Sequence, residues 1–406
     1  MTESKEEKKK VALLVILLSG LMVVAYSSIG IYTPAMPAIA DYFDISSTEV
    51  QLTFSMYILA FAFGQLIYGP LSDRYGRRPA IFLGLCIYIV GSVIATFSNS
   101  IEALVFARAL QGLGGCSGPV VGRAILRDLF NRERSAIILS YISMVMGAAP
   151  AFAPLIGGYL QVNFNWQSIF LFLIIIGSIV LISNLIYLKE SNNSKIKDNN
   201  YNLNISLINY ITFIKSRVFI GYSLTASFAM SMVFIYSSGT PFILISLLGI
   251  SPDIYGWYIL LPTFTNFIGA YFAARLLPIF GVDKLIYFGS LVIMICGGLM
   301  SVLSLFFELS VWIIISPMCG VMFGLSILYP SAAQGAVSVF PNKAGAASSL
   351  NGFLHMFTAS GMVLFSGYLF NGTQWPLIFL ILFNGFMTFF SLLLFIPKKK
   401  FKTIGK

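Results

Sequence analysis

All but one of the chain's 25 lysines and arginines fall at its two ends or in alternate connections between long apolar runs. Laid out as twelve runs, the sequence places Lys5 and Lys8–Lys10 before the first, Arg74, Arg77 and Arg78 after the second, and Arg123, Arg127, Arg132 and Arg134 at the end of the fourth or just after it. Lys189, Lys195, Lys197, Lys215 and Arg217 follow the sixth, Arg275 and Lys284 border the eighth, Lys343 follows the tenth, and Lys398, Lys399, Lys400, Lys402 and Lys406 close the chain. The remaining connections hold only acids: Asp41, Asp44, Glu49, Glu102, Asp253 and Glu308. Basic residues are translocated poorly, so short cytoplasmic loops collect them. The pattern predicts an even number of membrane crossings with both termini in the cytoplasm. It leaves Arg108 as the one basic residue deep inside a run.

The runs cover approximately 11–33, 50–71, 80–98, 103–123, 136–160, 167–188, 218–240, 254–276, 285–305, 311–333, 347–370 and 376–396. Each approaches the ~20 residues that carry a helix across a bilayer core. Backbone groups in hydrocarbon need partners within helices or closed barrels. The runs lack the period-two alternation of barrel strands, so the expected fold is an all-α membrane protein of twelve transmembrane helices. Charged residues are 10% of the chain, against roughly 25% in a soluble domain. The net charge of +10 is spread over loops beside the runs, where topology accounts for it, so nucleic acid is not an expected partner. The four cysteines, Cys86, Cys116, Cys296 and Cys319, lie inside runs with no disulfide or metal-ligand spacing, and neither metal nor cofactor is expected. Residues 5–33 begin like a signal peptide, but the apolar part is too long, which predicts an uncleaved first helix.

Six runs precede and six follow a polar, Asn-rich stretch. The expected organisation is an N-terminal six-helix bundle over 1–188, a cytoplasmic linker over 189–217 and a C-terminal six-helix bundle over 218–406, with a short amphipathic helix within 204–216. Transporters are commonly built from such repeated halves, with the substrate at their interface near the midplane. A faint repeat supports this: the ingredients of Gly69–Arg78 recur, with looser spacing, from Gly269 to Lys284.

The loop after run 2 reads Gly69-Pro-Leu-Ser-Asp73-Arg74-Tyr-Gly76-Arg77-Arg78-Pro79. Gly69 and Gly76 suit a tight turn, Asp73 suits the positive end of a helix from the other half, and Arg77 or Arg78 can pair with Asp128. This loop resembles the loop 2–3 motif of the major facilitator superfamily. Gln51-Leu-Thr-Phe-Ser…Gly64-Gln65, Arg108-Ala-Leu-Gln111-Gly112, Arg123–Phe130, the Pro150–Gly158 segment, Tyr236–Phe242 and Gly345–Gly352 are similar to the Bcr/CflA-type multidrug exporters of that superfamily, which have twelve spans. The resemblance implies a facilitator fold and export of small amphipathic compounds by drug:proton antiport. It also implies a cytoplasmic gate of Gly69, Asp73, Arg74, Gly76, Arg77, Arg78 and Asp128, and a helix-packing motif of Pro150, Pro154, Gly157 and Gly158 in run 5.

A charge deep in a span costs at least ~2.5–3.5 kcal/mol and so faces a partner or a cavity. That makes Arg108 the sharpest candidate for the substrate or coupling site, against an arginine satisfied by carbonyls in a packed interface. His355 is the only histidine, and imidazole titrates near neutral pH. It is a candidate proton carrier, or else a hydrogen-bonded packing residue. Tyr26, Tyr32, Tyr57, Tyr236, Tyr258 and Tyr329, with Gln111, Asn266 and Asn351, are the polar side chains expected to line a cavity. Where related sequences carry an acid in span 1, this chain has Gly30, and no Asp or Glu lies well inside a run. Proton coupling would then fall to His355, to a surface-proximal acid such as Asp41 or Glu102, or to the substrate. The glycines Gly112, Gly114, Gly115 and Gly118 follow no strand and read as packing, not as a phosphate loop. With no nucleophile–base pair or nucleotide motif, an enzyme is not expected. The expected function is alternating-access export across the inner membrane by a monomer. Import of a small metabolite on the same fold and a non-transporting membrane receptor stand as alternatives.

Overall fold

The computed structural model describes residues 5–192 and 210–395. The first half contains α1 (Lys5–Gly30), α2 (Met36–Phe43), α3 (Ser47–Tyr75), α4 (Arg77–Thr96), α5 (Ile101–Gly115), α6 (Ser117–Leu129), α7 (Arg132–Asn163) and α8 (Trp166–Tyr187). The second contains α9 (Arg217–Pro241), α10 (Pro252–Phe280), α11 (Val282–Phe306), α12 (Val311–Ser338), α13 (Ala344–Leu369) and α14 (Trp375–Phe395). Among the described residues there is no strand.

Among the described residues, ten helical stretches are long and apolar enough to cross a membrane. The fourth and eighth positions of the expected twelve are taken by helices that fall short of that measure. Run 4 turns at Cys116 into α5 and α6, of 15 and 13 residues. Run 8 is α10, a 29-residue helix diluted by Thr263, Thr265, Asn266 and Arg275. Of the expected linker, 193–209 lies outside the described residues, as do the basic residues beyond 395. Residues 210–215 are helical, so the expected amphipathic helix is described only in its last part.

Side chains stop and start these helices. Glu49 accepts the Ser46 N–H at 2.9 Å in a capping box that begins α3, and Asn131 and Asn165 accept the N–H groups of Arg134 and Ser168 to begin α7 and α8. Gly76 separates α3 from α4 at φ +103°, a conformation that L side chains rarely adopt. Gly69, expected to share this turn, lies inside α3 instead, because that helix continues through Pro70 to Tyr75.

The apolar core forms two clusters. One is centred on α1–α8, with Phe234, Phe242, Met356, Ala359 and Val363 joining it from the second half. The other is centred on α9–α14. The halves meet along two seams, α3 against α13 and α7 against α10. Under a repeat that maps run n onto run n+6, these seams are equivalent. The α3–α13 seam is joined by hydroxyls: Ser55 Oγ donates to Ser360 O (2.9 Å), Ser360 Oγ to Ser55 O (3.0 Å) and Thr48 Oγ1 to Gly367 O (2.7 Å). Gln51 is fully buried beside Gly367, and neither end of its amide has a partner. In the α7–α10 seam the backbones touch: a Cβ on Gly158 would lie 2.0 Å from Pro252 O. These contacts close the face that bears the acidic loops. On the basic face the halves part around a cleft of about 620 Å³ between α3, α6 and α7 on one side and α12–α13 on the other.

Candidate functional site: a chamber between the halves

Between the seams lies a cavity of about 330 Å³, walled by α1, α7, α9, α10 and α12. Both halves contribute. Tyr26, Ile29, Gly30 and Thr33 come from the first span and its turn, and Gly147, Pro150 and Pro154 from α7. Met230, Phe234, Tyr236 and Ser237 come from α9, Tyr255, Ile259, Thr263 and Asn266 from α10, and Met322, Ser326 and Tyr329 from α12. Pro150 and Pro154 remove N–H donors from the middle of α7 and sit at its chamber face, where neighbouring helices pack against it. The lining holds rings, hydroxyls and one amide, with no acid, lysine, arginine or histidine.

Of the polar residues singled out in the sequence, Tyr26, Tyr236, Asn266 and Tyr329 meet in this wall. Tyr329 links it to the second half's interior: its hydroxyl is 3.2 Å from Nδ1 of His355, which is 2% exposed and whose Nε2 is buried without a partner. Asn351, one helical turn earlier on α13, is buried with its Oδ1 unpartnered and does not line the chamber. Tyr258 does not line it either; its ring packs against Trp312.

Arg108 lies behind the wall in the first half and is fully buried. Its guanidinium carbon sits 4.5 Å from the Tyr32 ring centroid and 4.4 Å from that of Tyr57. Nη1 donates to Gln111 Oε1 at 2.9 Å and to Ser28 O at 3.3 Å, while Nε and Nη2 have no partner. Two desolvated ring faces at about 2 kcal/mol each offset the burial of such a charge only together with the two Nη1 hydrogen bonds. Gln111 Nε2 passes the chain on to Ser92 Oγ at 2.7 Å, Tyr57 OH donates to Ala25 O, and Tyr32 OH meets Thr53 Oγ1, each at 2.6 Å. Tyr88, bonded to Ser28 Oγ at 2.6 Å, completes the cluster. Ser28, Thr53, Tyr88 and Ser92 were not anticipated. For three of them a signal was present: Thr53 lies four residues from Tyr57 on α3, and Tyr88 four from Ser92 on α4, the spacing of one helical face.

The loop after α3 forms a third site. Arg77 Nε donates to Asp128 Oδ2 at 2.7 Å and Nη2 to Oδ1 at 3.3 Å, and Nη1 bonds Ser72 Oγ at 2.8 Å as well as Asp73. Asp73, expected at a helix end across the cleft, is thus held by Arg77 within its own half. With the halves parted here, the α13 N-terminus lies across the cleft from it. Arg78 turns away to the Leu185 carbonyl, and exposed Arg74 stacks 5.2 Å from the Tyr75 ring centroid. No motif marks Glu190 as a member of this site. Its carboxylate accepts the N–H groups of Arg77 and Arg78 at 2.9 and 3.0 Å, capping α4, and those of Ser191 and Asn192. Desolvation works against this charge, but the four backbone donors outweigh it and hold its pKa below the usual carboxylate value.

Residues 18–365 match the model of the Major Facilitator Superfamily. The chain is 28% identical to the bicyclomycin resistance protein homolog of Haemophilus influenzae, over 85% of this chain and 86% of that one. It is 30% identical to multidrug resistance protein D of Escherichia coli, over 84% and 85%. It is 25% identical to multidrug resistance protein MdtL of Vibrio parahaemolyticus, over 92% of each. Its fold matches the crystal structure of a bacterial homologue of the human lysosomal transporter Spinster, in an inward-facing and unoccupied conformation, with a TM-score of 0.65 and 14% identity over 98% of this chain and 97% of that one. The family match, the twelve-helix two-half architecture and a chamber built by both halves agree: the chain is a membrane transporter and not an enzyme, and it belongs to the Major Facilitator Superfamily.

Proposed function

We propose that the protein exports small amphipathic compounds, drugs or related metabolites, from the cytoplasm by alternating access in exchange for protons. The observation that carries this reading is the uncharged, ring-lined chamber at the junction of the halves, with the seams on its acidic side and a separate cleft between the halves on the basic face. The names of the bicyclomycin- and multidrug-resistance relatives support the substrate class. On this reading the protein is a monomer in the inner membrane. The basic face and both termini are cytoplasmic, and residues 1–188 and 218–406 are bundles that rock about the chamber with 189–217 as their tether.

The proposed roles follow the geometry. Tyr26, Tyr236, Asn266 and Tyr329 contact substrate. Arg108, with Tyr32, Tyr57 and Gln111, stiffens the first half behind the wall. Pro150, Pro154, Gly157 and Gly158 shape α7 for the seam. Arg77, with Asp73 and Asp128, anchors the loop that must dock when the cytoplasmic side closes. His355, joined to the chamber through Tyr329, is the proposed proton-carrying group, with Asn351 one turn away on the same helix. Gly30, where related sequences have an acid, favours a second reading, import of a small metabolite without proton exchange. A resistance and transport panel in a strain lacking its own exporters, with and without a proton uncoupler, tests the first reading. Accumulation in right-side-out vesicles, in place of inside-out ones, would establish the second. Saturable binding without counterflow would establish a receptor.

A further inference from the structure

We infer that the chamber selects uncharged molecules and anchors a polar group of theirs on the Tyr236 hydroxyl, to the exclusion of permanent cations; this rests on the reading of the chamber as the substrate site. Two observations carry it. The first is Tyr236 itself. It lies in the wall, and its hydroxyl is buried without a hydrogen-bond partner. Other polar side chains of the lining have partners: Tyr329 with His355, Thr263 with the Ile259 carbonyl, and Asn266 with the Met322 carbonyl. A buried hydroxyl without a partner is costly, and a ligand that offers an acceptor removes that cost.

The second observation is the charge distribution. No charged side chain lines the chamber. Arg108 stands behind the wall, bonded to the carbonyl of Ser28, one residue before Ile29 and Gly30 of the lining, and no carboxylate pairs with it. At position 30 a side chain has little room: a Cβ would lie 3.1 Å from Ala153 Cβ and 3.2 Å from Pro150 O. A cation entering here would lose hydration, find no carboxylate and face the field of the guanidinium. The rings offer cation–π attraction, but that is smaller than the desolvation of an unpaired charge. A neutral solute with one acceptor meets none of these penalties.

Three probes of nearly one shape separate the possibilities: triphenylphosphine oxide, neutral with an acceptor; triphenylphosphine, neutral without one; and methyltriphenylphosphonium, a permanent cation. Binding is measured on the purified full-length protein in lipid nanodiscs, corrected for empty nanodiscs. The oxide should bind about five- to tenfold tighter than the phosphine, the worth of one hydrogen bond. The phosphonium should bind at least about tenfold weaker than the oxide, because spreading its charge over three rings lowers the desolvation cost without removing it. Tyr236→Phe should remove the oxide's advantage over the phosphine, and a thermal melt of the same variant reports whether its fold is intact. Equal binding of oxide and phosphonium would overturn the selectivity, and equal binding of oxide and phosphine to the wild type would remove the anchor, whether or not the variant folds. If none of the three binds, the chamber is not the substrate site and the inference falls with it. Binding of the neutral probes without protein-dependent flux into proteoliposomes would instead overturn transport and leave the selectivity standing.

Discussion

Replacing Gly158 by alanine puts a methyl group where no space exists. Its Cβ would lie 2.0 Å from Pro252 O, 2.7 Å from Pro252 C and 2.9 Å from Asp253 Cα, all atoms of α10's first turn in the other half. Carbon contacts are comfortable at about 3.5–4.0 Å, so α7 and α10 must separate by about 1.5 Å. Backbone cannot swing aside as a side-chain tip can, and overpacking of this kind costs about 1–3 kcal/mol. The cost falls on the contact between halves, not on either bundle. It should therefore shift the population about 5- to 150-fold towards states in which the acidic face is open, with little change in the unfolding of each half. Gly157 supplies the contrast: a Cβ there meets Ile31 O at 2.1 Å within the first half, so Gly157→Ala should lower thermal stability in every state. Gly147→Ala is the mild control, since its Cβ would meet only the ring edge of Phe267 at 3.0 Å. Spin labels at exposed Asn99 and Glu308, with the four native cysteines replaced, read the separation of the acidic-face loops. Wild-type distance distributions and wild-type transport in Gly158→Ala would refute the idea that this seam closes that face.

Three further outcomes are expected. Arg108→Met should abolish transport yet unfold at or above the wild-type temperature, because replacing a buried unpaired charge by an apolar chain of similar volume is often neutral or stabilising by about 1–4 kcal/mol; thermal melting beside transport separates the two effects, and retained transport would remove Arg108 from the mechanism. His355→Gln should abolish uphill export while sparing downhill exchange and should flatten the pH dependence of transport; uphill pumping by the Gln variant would make His355 a packing residue. Glu190→Gln should melt below wild type at neutral pH. Because the folded pKa of Glu190 is depressed, its contribution is complete above the unfolded value of about 4.3 and is lost as pH falls through the lower folded value, so the two melting curves should converge in acid. A constant gap down to about pH 3 would show that the carboxylate's charge is not what holds the cap.

The helices and the division into halves were legible because they rest on run length and on the alternation of basic and acidic connections along the chain. The chamber was only half legible. Tyr26, Tyr236, Asn266 and Tyr329 could be picked as polar side chains in apolar runs, but nothing local distinguishes them from Tyr32 and Tyr57, which turn to Arg108 instead. Which face of α1 meets the cavity depends on how closely α7 approaches, and that is decided by Gly30 against Ala153 and Pro150. The pair Arg77–Asp128 could be read from charge alone. Glu190 could not, because it binds backbone N–H groups 112 and 113 residues away, and the sequence carries no mark of that.

The α3–α13 seam has a mechanical consequence. Met356, Ala359 and Val363 of α13 pack into the first half's core at this seam, and parting them exposes apolar surface to water at about 25 cal/mol per Å². Ser55, Ser360 and Thr48 instead trade a bond to the opposite helix for one to water, a change of only about 0.5–1.5 kcal/mol each. Gln51 acts in the opposite sense. Its stranded amide gains partners only when the seam is wetted, releasing about 1–3 kcal/mol for each group satisfied. The hydroxyls and the stranded amide thus offset part of the apolar cost of opening, as a spring under a latch offsets part of the force that holds it shut.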